Sequence, residues 1–168
     1  LLRAFKSFIS TGKVSQGGST ITMQVARNFY LSREKKIIRK LREILLAYKM
    51  ESNLSKERIF ELYMNKIYLG HRAYGVAAAA QVYYGKRLSE LTLPQMAMIA
   101  GLPKAPSSYN PISNEKRALQ RRDYVLRRMS ENNFISQSEY VDAYLSPVTA
   151  RLNTANIELA APYVSEMA

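Results

Sequence analysis

Apolar residues recur along this chain at helical spacing, and short polar or glycine-containing breaks separate the runs. Residues 1–10 put Leu1, Leu2, Phe5, Phe8 and Ile9 on one helical face, with Arg3, Lys6 and Ser10 elsewhere. A polar, glycine-containing loop follows, through Gly17-Gly18. Ser19 or Thr20 can cap a helix reaching about Tyr30. Ser32 can cap the next, residues 33–51, whose apolar stripe is Ile37, Leu41, Ile44/Leu45 and Tyr48. Ser55 caps another, with Ile59, Leu62/Tyr63 and Ile67 inward and Gly70 at its end. Residues 74–84 hold four consecutive alanines, which suit close helix packing, and stop at Gly85. Thr92-Leu93-Pro94 starts a helix with proline in its first turn, and that helix ends near Gly101. Three prolines make residues 102–111 an irregular loop. A long basic helix is expected over residues 114–132, and Ser136 with Glu139 forms a capping box opening one more. From Ser146 onward, Pro147, Asn153, Asn156 and Pro162 read as extended linker. Eight helical segments and no convincing strand alternation in 168 residues predict an all-α domain.

Charge sharpens this picture. The chain carries 25 Lys and Arg against 13 Asp and Glu, a formal net charge of +12. Residues 1–50 hold eleven of those cations and only two acids, Glu34 and Glu43. A one-sided basic field draws phosphorylated ligands, acidic lipid headgroups or nucleic acid, although it also serves solubility. The absence of cysteine removes disulfides, thiolate metal sites and cysteine nucleophiles. One histidine, His71, cannot build a histidine-rich metal site. No run approaches the roughly 18 apolar residues of a membrane span.

Two local patterns carry chemistry. Glycines before a helix N-terminus let backbone N–H groups approach an anion, and Gly17-Gly18-Ser19-Thr20 has that form, without the Gly-Lys-Ser/Thr of a nucleotide loop. In a helix starting at Ser19, residues Thr20, Gln24, Arg27 and Asn28 share one polar stripe, offering amides and a guanidinium to a phosphate or to sugar hydroxyls. On the next helix Arg39 and Glu43 are four apart on one face. Glu43 is the only acid between Lys35 and Met50, amid Lys35, Lys36, Arg39, Lys40 and Arg42, and nearby positive charge keeps a carboxylate ionised. It is then an electrostatic partner or a metal ligand rather than a general acid. Lys104, in the proline-rich loop, can reach a phosphate.

These segments, in this order, resemble the motifs of the peptidoglycan glycosyltransferases of family 51. Gly17-Gly18-Ser19-Thr20-Ile21-Thr22-Met23-Gln24-Val25-Ala26-Arg27-Asn28 is similar to the second motif, and Arg39-Lys40-Leu41-Arg42-Glu43 to the third. Residues 59–70 resemble the fourth, and residues 72–86 with 100–106 the fifth region. The likeness covers residues 1–145 and is nearest to the bifunctional class A penicillin-binding proteins of 1A type. It implies a lysozyme-like, all-α, bilobal domain with a head and a small jaw that dips into the membrane. It also implies a reaction: lipid II is the acceptor, the growing glycan strand on undecaprenyl pyrophosphate is the donor, and lipid pyrophosphate leaves with inversion at the anomeric carbon. By this resemblance Ser19, Thr20, Gln24, Arg27 and Asn28 line the donor sugar-pyrophosphate, and Arg39 and Lys104 hold phosphates. Glu43 is the second catalytic glutamate, assisting pyrophosphate departure directly or through a divalent cation (Mg or Mn); no organic cofactor is implied. Moenomycin-type inhibitors and the membrane surface are the other implied partners, and nucleic acid is not one. The implied location is the bacterial inner membrane, with the catalytic domain on its periplasmic or outer face.

One departure stands out. The family's first motif, Glu-Asp-x-x-Phe followed by His-x-Gly, which supplies the general base, is absent, and no carboxylate occurs before Glu34. The expectation is therefore an N-terminally truncated glycosyltransferase domain over residues 1–145, inactive alone, with residues 146–168 leading toward a missing transpeptidase domain. Two other readings compete. A basic helical nucleic-acid-binding domain fits the charge, but no stacking aromatics interleave the basic cluster. A muramidase-like hydrolase fits the fold, but hydrolysis needs a carboxylate pair around the sugar.

Overall fold

The computed structural model describes residues 19–29 and 36–153; the expected helix over residues 1–10, the Gly17-Gly18 loop, the Ser32 cap and residues 154–168 lie outside them. The described residues are helical, with no strand, as the pattern of apolar positions requires. They form two compact units, divided between Tyr68 and Leu69.

The first unit holds α1 (Ile21–Phe29), α2 (Lys36–Asn53) and α3 (Lys56–Lys66). α1 packs against both α2 and α3. Its Met23, Val25 and Ala26 are buried, and Ala47 of α2 and Ile59 and Tyr63 of α3 close the core. Small residues at Ala26 and Ala47 let helices approach closely. Thr20, not Ser19, caps α1: its Oγ1 accepts from the Met23 N–H at 3.1 Å. The Ser55 Oγ caps α3 by accepting from the Arg58 N–H at 3.2 Å. Thr22 Oγ1 donates to Glu51 Oε1 at 2.6 Å and ties α1 to the far end of α2. α3 stops at Lys66, four residues before Gly70, where the Ile67 N–H returns to the Tyr63 carbonyl.

The apolar stripe of α2 does not face this core. Leu41, Ile44, Leu45 and Tyr48 are exposed, Leu45 at 69% and Tyr48 at 75%, whereas Glu43 and Ala47 turn inward. Helical period alone fixes which residues share a face. It does not fix which face is inner, and here the carboxylate's cationic partner on α1 decides the rotation.

The second unit begins at a tight turn where Gly70, His71 and Arg72 all have positive φ (89°, 43° and 60°). A Cβ on Gly70 would lie 2.6 Å from the Tyr83 hydroxyl, so only glycine fits. α4 (Val76–Tyr84) buries Ala79, Ala80 and Tyr83 and ends on Gly85 in the left-handed region. A 3₁₀ turn (Leu88–Glu90) precedes α5 (Leu93–Gly101), which opens with the Thr92/Gln95 capping box and Pro94 in its first turn. A second 3₁₀ turn (Leu102–Lys104) begins the proline-rich loop. α6 (Glu115–Glu131) lies along α5, and α7 (Gln137–Leu145) folds back on both, starting at the expected Ser136/Glu139 box. Ala97, Leu126 and Ala143 sit at the centre, with Leu93, Val125, Ile135 and Tyr140 around them.

Residues 146–153 continue as a strap laid on this second unit. Buried Arg122 donates to the carbonyls of Ser146 (2.6 Å) and Tyr144 (2.8 Å). Gln95 Nε2 donates to Thr149 Oγ1 at 3.0 Å. The N–H groups of Arg151 and Asn153 reach the Tyr83 and Val82 carbonyls, two acceptors left open at the end of α4. Among the described residues no helix is long and apolar enough to cross a membrane.

Candidate active site

The site grows from two neighbouring helices of the first unit. α1 presents Arg27 in its last turn, and α2 presents Arg39, Lys40 and Glu43 within its first two turns. Glu43 is 4% exposed. The Arg27 guanidinium grips both of its oxygens, Nε to Oε1 at 3.0 Å and Nη2 to Oε2 at 3.2 Å. Lys40 Nζ donates to Oε2 at 3.2 Å, and Arg39 Nε lies 3.7 Å from Oε1. Ser19, released from capping duty, accepts from Lys40 Nζ at 2.7 Å and from Arg27 Nη2 at 3.3 Å.

Burial pushes the Glu43 carboxyl up. Hydrogen bonds from Arg27 and Lys40, together with their charge, outweigh that and hold it below the ordinary glutamate value. The side chain is thus an anion at neutral pH. One carboxylate faces three cations that are themselves 42–47% exposed, so the cluster keeps net positive charge open to solvent. Beside it a cavity of about 410 Å³ is lined by Ala26, Arg39, Arg42, Glu43, Leu45, Leu46 and Lys49. Its lining combines the aliphatic Ala26, Leu45 and Leu46 with the cationic Arg39, Arg42 and Lys49.

Sequence-predicted residues divide accordingly. Ser19, Arg27, Arg39 and Glu43 come together. Thr20 spends its hydroxyl on the helix cap, and among the described residues Gln24 and Asn28, half-buried and exposed on α1, lie outside the hydrogen-bond network. Lys104 belongs to the second unit, 5.9 Å from the Tyr109 ring centroid. Lys40 was not among the expected binding residues, yet it bridges Ser19 and Glu43. Its spacing of three from Glu43 was the available signal. The expected Arg39–Glu43 pair is the loosest of the contacts, because Arg27 occupies the same oxygen from across the helix pair.

The donor set does not suit a divalent ion. Both Glu43 oxygens are engaged by cations, and among the described residues no group of three or more His, Asp or Glu side chains is placed to hold a metal ion.

Comparison with known proteins identifies the family. The family model described as Transglycosylase matches residues 1–130. Penicillin-binding protein 1A of Pseudomonas aeruginosa is 53% identical over 168 residues, all of this chain and 20% of that protein. Penicillin-binding protein 1A of Escherichia coli is 50% identical over 167 residues, 99% of this chain and 20% of that protein. A crystal structure of penicillin-binding protein 1A from Haemophilus influenzae superposes with a TM-score of 0.57 at 42% identity, over 89% of this chain and 19% of that one. The all-α, lysozyme-like class expected from the sequence agrees with that likeness. The chain spans about one fifth of the length of these relatives.

Proposed function

Since the chain belongs to the transglycosylase family, we propose that it is the part of a peptidoglycan glycosyltransferase that holds the diphosphate of a lipid-linked glycan donor while lipid II is polymerised. One observation carries this reading: Ser19, Arg27, Lys40 and Glu43 form a single network with net positive charge open to solvent. In the transfer, the acceptor 4-hydroxyl oxygen bonds to the donor's anomeric carbon, and the bond from that carbon to the diphosphate oxygen breaks. The electron pair leaves on the diphosphate. The hydroxyl proton goes to the first-motif carboxylate that the family resemblance implies. Charge grows on the departing oxygens, and preorganised cations there lower the barrier most.

Glu43 supports departure by holding Arg27 and Lys40 in place, and its ionised state rules out service as proton donor. The same state counts against a muramidase, whose acid must be protonated. Arg39 faces the phosphates as well, with Gln24, Asn28 and Thr20 toward the donor sugar. The partners that follow are undecaprenyl pyrophosphate-linked glycan, the outer face of the bacterial inner membrane and, as competitors, moenomycin-type inhibitors.

The test is lipid II polymerisation by a protein that joins this domain to a family first motif. Glu43→Gln should lower turnover by about two orders of magnitude or more, the scale of losing one preorganised electrostatic group. Near-normal polymerisation by that variant removes Glu43 from the mechanism.

A further inference from the structure

A cavity in the second unit has the chemistry of a ligand site. It measures about 250 Å³ and is lined by Lys104, Tyr109, Gln120, Arg121 and Tyr124. Its walls are fixed from both sides. The loop carrying Lys104 and Tyr109 is held by Ala105 N–H to Leu102 O (3.1 Å) and Tyr109 N–H to Ala105 O (3.0 Å). Asn110 locks the following turn, accepting from the N–H groups of Ile112 (2.9 Å) and Ser113 (3.3 Å) while its Nδ2 donates to the Tyr83 hydroxyl (3.0 Å). From α6 come Gln120, Arg121 and Tyr124, spaced so that they share one side of the helix.

Arg121 is oriented without being neutralised. Its Nε donates to the Gly101 carbonyl at 3.3 Å. Its guanidinium carbon lies 4.7 Å from the Tyr124 ring centroid and 5.9 Å from that of Tyr109, and Lys104 Nζ lies 5.9 Å from Tyr109 on its own approach. The acids of α6 that form ion pairs go elsewhere, Asp123 to Arg122 and Glu131 to Arg127 and Arg128. Among the described residues no carboxylate pairs with Lys104 or Arg121. Two cations, two tyrosine rings with hydroxyls and one amide therefore surround a cavity that lacks any counter-charge.

We propose that this cavity binds one sugar residue bearing an oxyanion, with Arg121 and Lys104 on the carboxylate or phosphate and Tyr109, Tyr124 and Gln120 against the ring and its hydroxyls. Size supports a single residue: drug-sized ligands use cavities of about 300–1,000 Å³, and this one is smaller. The proposal rests on the transferase reading only in taking glycan as the ligand class, and it needs no catalysis.

The test is an NMR titration of the full 168-residue chain with N-acetylmuramic acid, N-acetylglucosamine 1-phosphate, neutral N-acetylglucosamine, inorganic phosphate and a short single-stranded oligonucleotide. The acidic sugars should shift the Gln120, Arg121 and Tyr124 resonances and bind about tenfold more tightly than the neutral sugar or inorganic phosphate, the gain of a charge-assisted fork plus ring contacts. Stronger binding of the carboxylate identifies the acidic sugar of a glycan as the source; stronger binding of the phosphate identifies a sugar-phosphate end. Arg121→Gln should weaken either about tenfold. Because Arg121 also holds Gly101, Tyr124→Leu at an exposed position serves as the second variant, weakening binding about threefold with an unchanged melting temperature. Equal binding of the neutral sugar, equal binding of inorganic phosphate, tighter binding of the oligonucleotide, or wild-type affinity in both variants overturns the proposal. Since no polymerisation is measured, its failure and the failure of the transferase reading are separable.

Discussion

Replacing Glu43 by glutamine should destabilise the first unit in a pH-dependent way. The substitution keeps the side chain's shape and one carbonyl oxygen. It puts an amide donor against the cations at whichever oxygen it replaces: Arg27 Nε at 3.0 Å from Oε1, or Arg27 Nη2 and Lys40 Nζ at 3.2 Å from Oε2. Hydrogen bonds to charged groups contribute about 1.5–3 kcal/mol each. The donors are 42–47% exposed and can rehydrate, so the loss should fall to about 0.5–1 kcal/mol per bond, or about 1–3 kcal/mol together. The sign with pH follows from the lowered folded pKa of Glu43. The stabilisation is complete above the unfolded carboxylate value of about 4.3 and disappears as pH falls through the lower folded value. Urea unfolding of wild type and Glu43→Gln across pH 2 to 7 reads this directly. The two curves should be separated at neutral pH and converge in acid. A gap that is the same size at the acid end, or a variant more stable than wild type at pH 7, would refute the reasoning. The second outcome would mean that desolvating the carboxylate costs more than its partners return.

Two further outcomes follow from the second unit. Gly70→Ala should cost about 1–3 kcal/mol, from its φ of 89° and the Tyr83 hydroxyl 2.6 Å from the new methyl, read as a lower denaturation midpoint. Arg122→Met should lose about 3 kcal/mol or more, because it strips the buried donor from the Tyr144 and Ser146 carbonyls; hydrogen exchange should then show the strap over residues 146–153 opening before α6.

Features written in local sequence were readable in advance. Ser55 and Ser136 cap as their neighbours dictate, Pro94 sits in a first turn, and Ile59, Tyr63 and Ile67 form the buried side of α3 and its end. Features decided by distant partners were not. α2 turns Glu43 and Ala47 inward and leaves its aliphatic stripe exposed, and the partner that meets Glu43 there, Arg27, lies on α1. Thr20 took the cap and left Ser19 for Lys40, a choice between adjacent hydroxyls that periodicity cannot make. Proline and asparagine mark the chain from Ser146 onward as extended linker, and residues 146–153 carry no helix, but their docking depends on Arg122, Gln95 and the end of α4, up to 71 residues away. The candidate site was legible as charge and spacing; its bidentate geometry was not.

The central claim is that Arg27 and Lys40 are shared between Glu43 and a diphosphate. Measuring both pyrophosphate affinity and lipid II turnover in wild type and Glu43→Gln, each in a protein that carries a family first motif, tests it most directly. Freed of the carboxylate, the cations should bind pyrophosphate several-fold more tightly, on the order of the 1 kcal/mol or so that the competing ion returned, while turnover collapses because they are no longer held in register. Pyrophosphate affinity and turnover that fall together, or that both stay at the wild-type level, contradict the account.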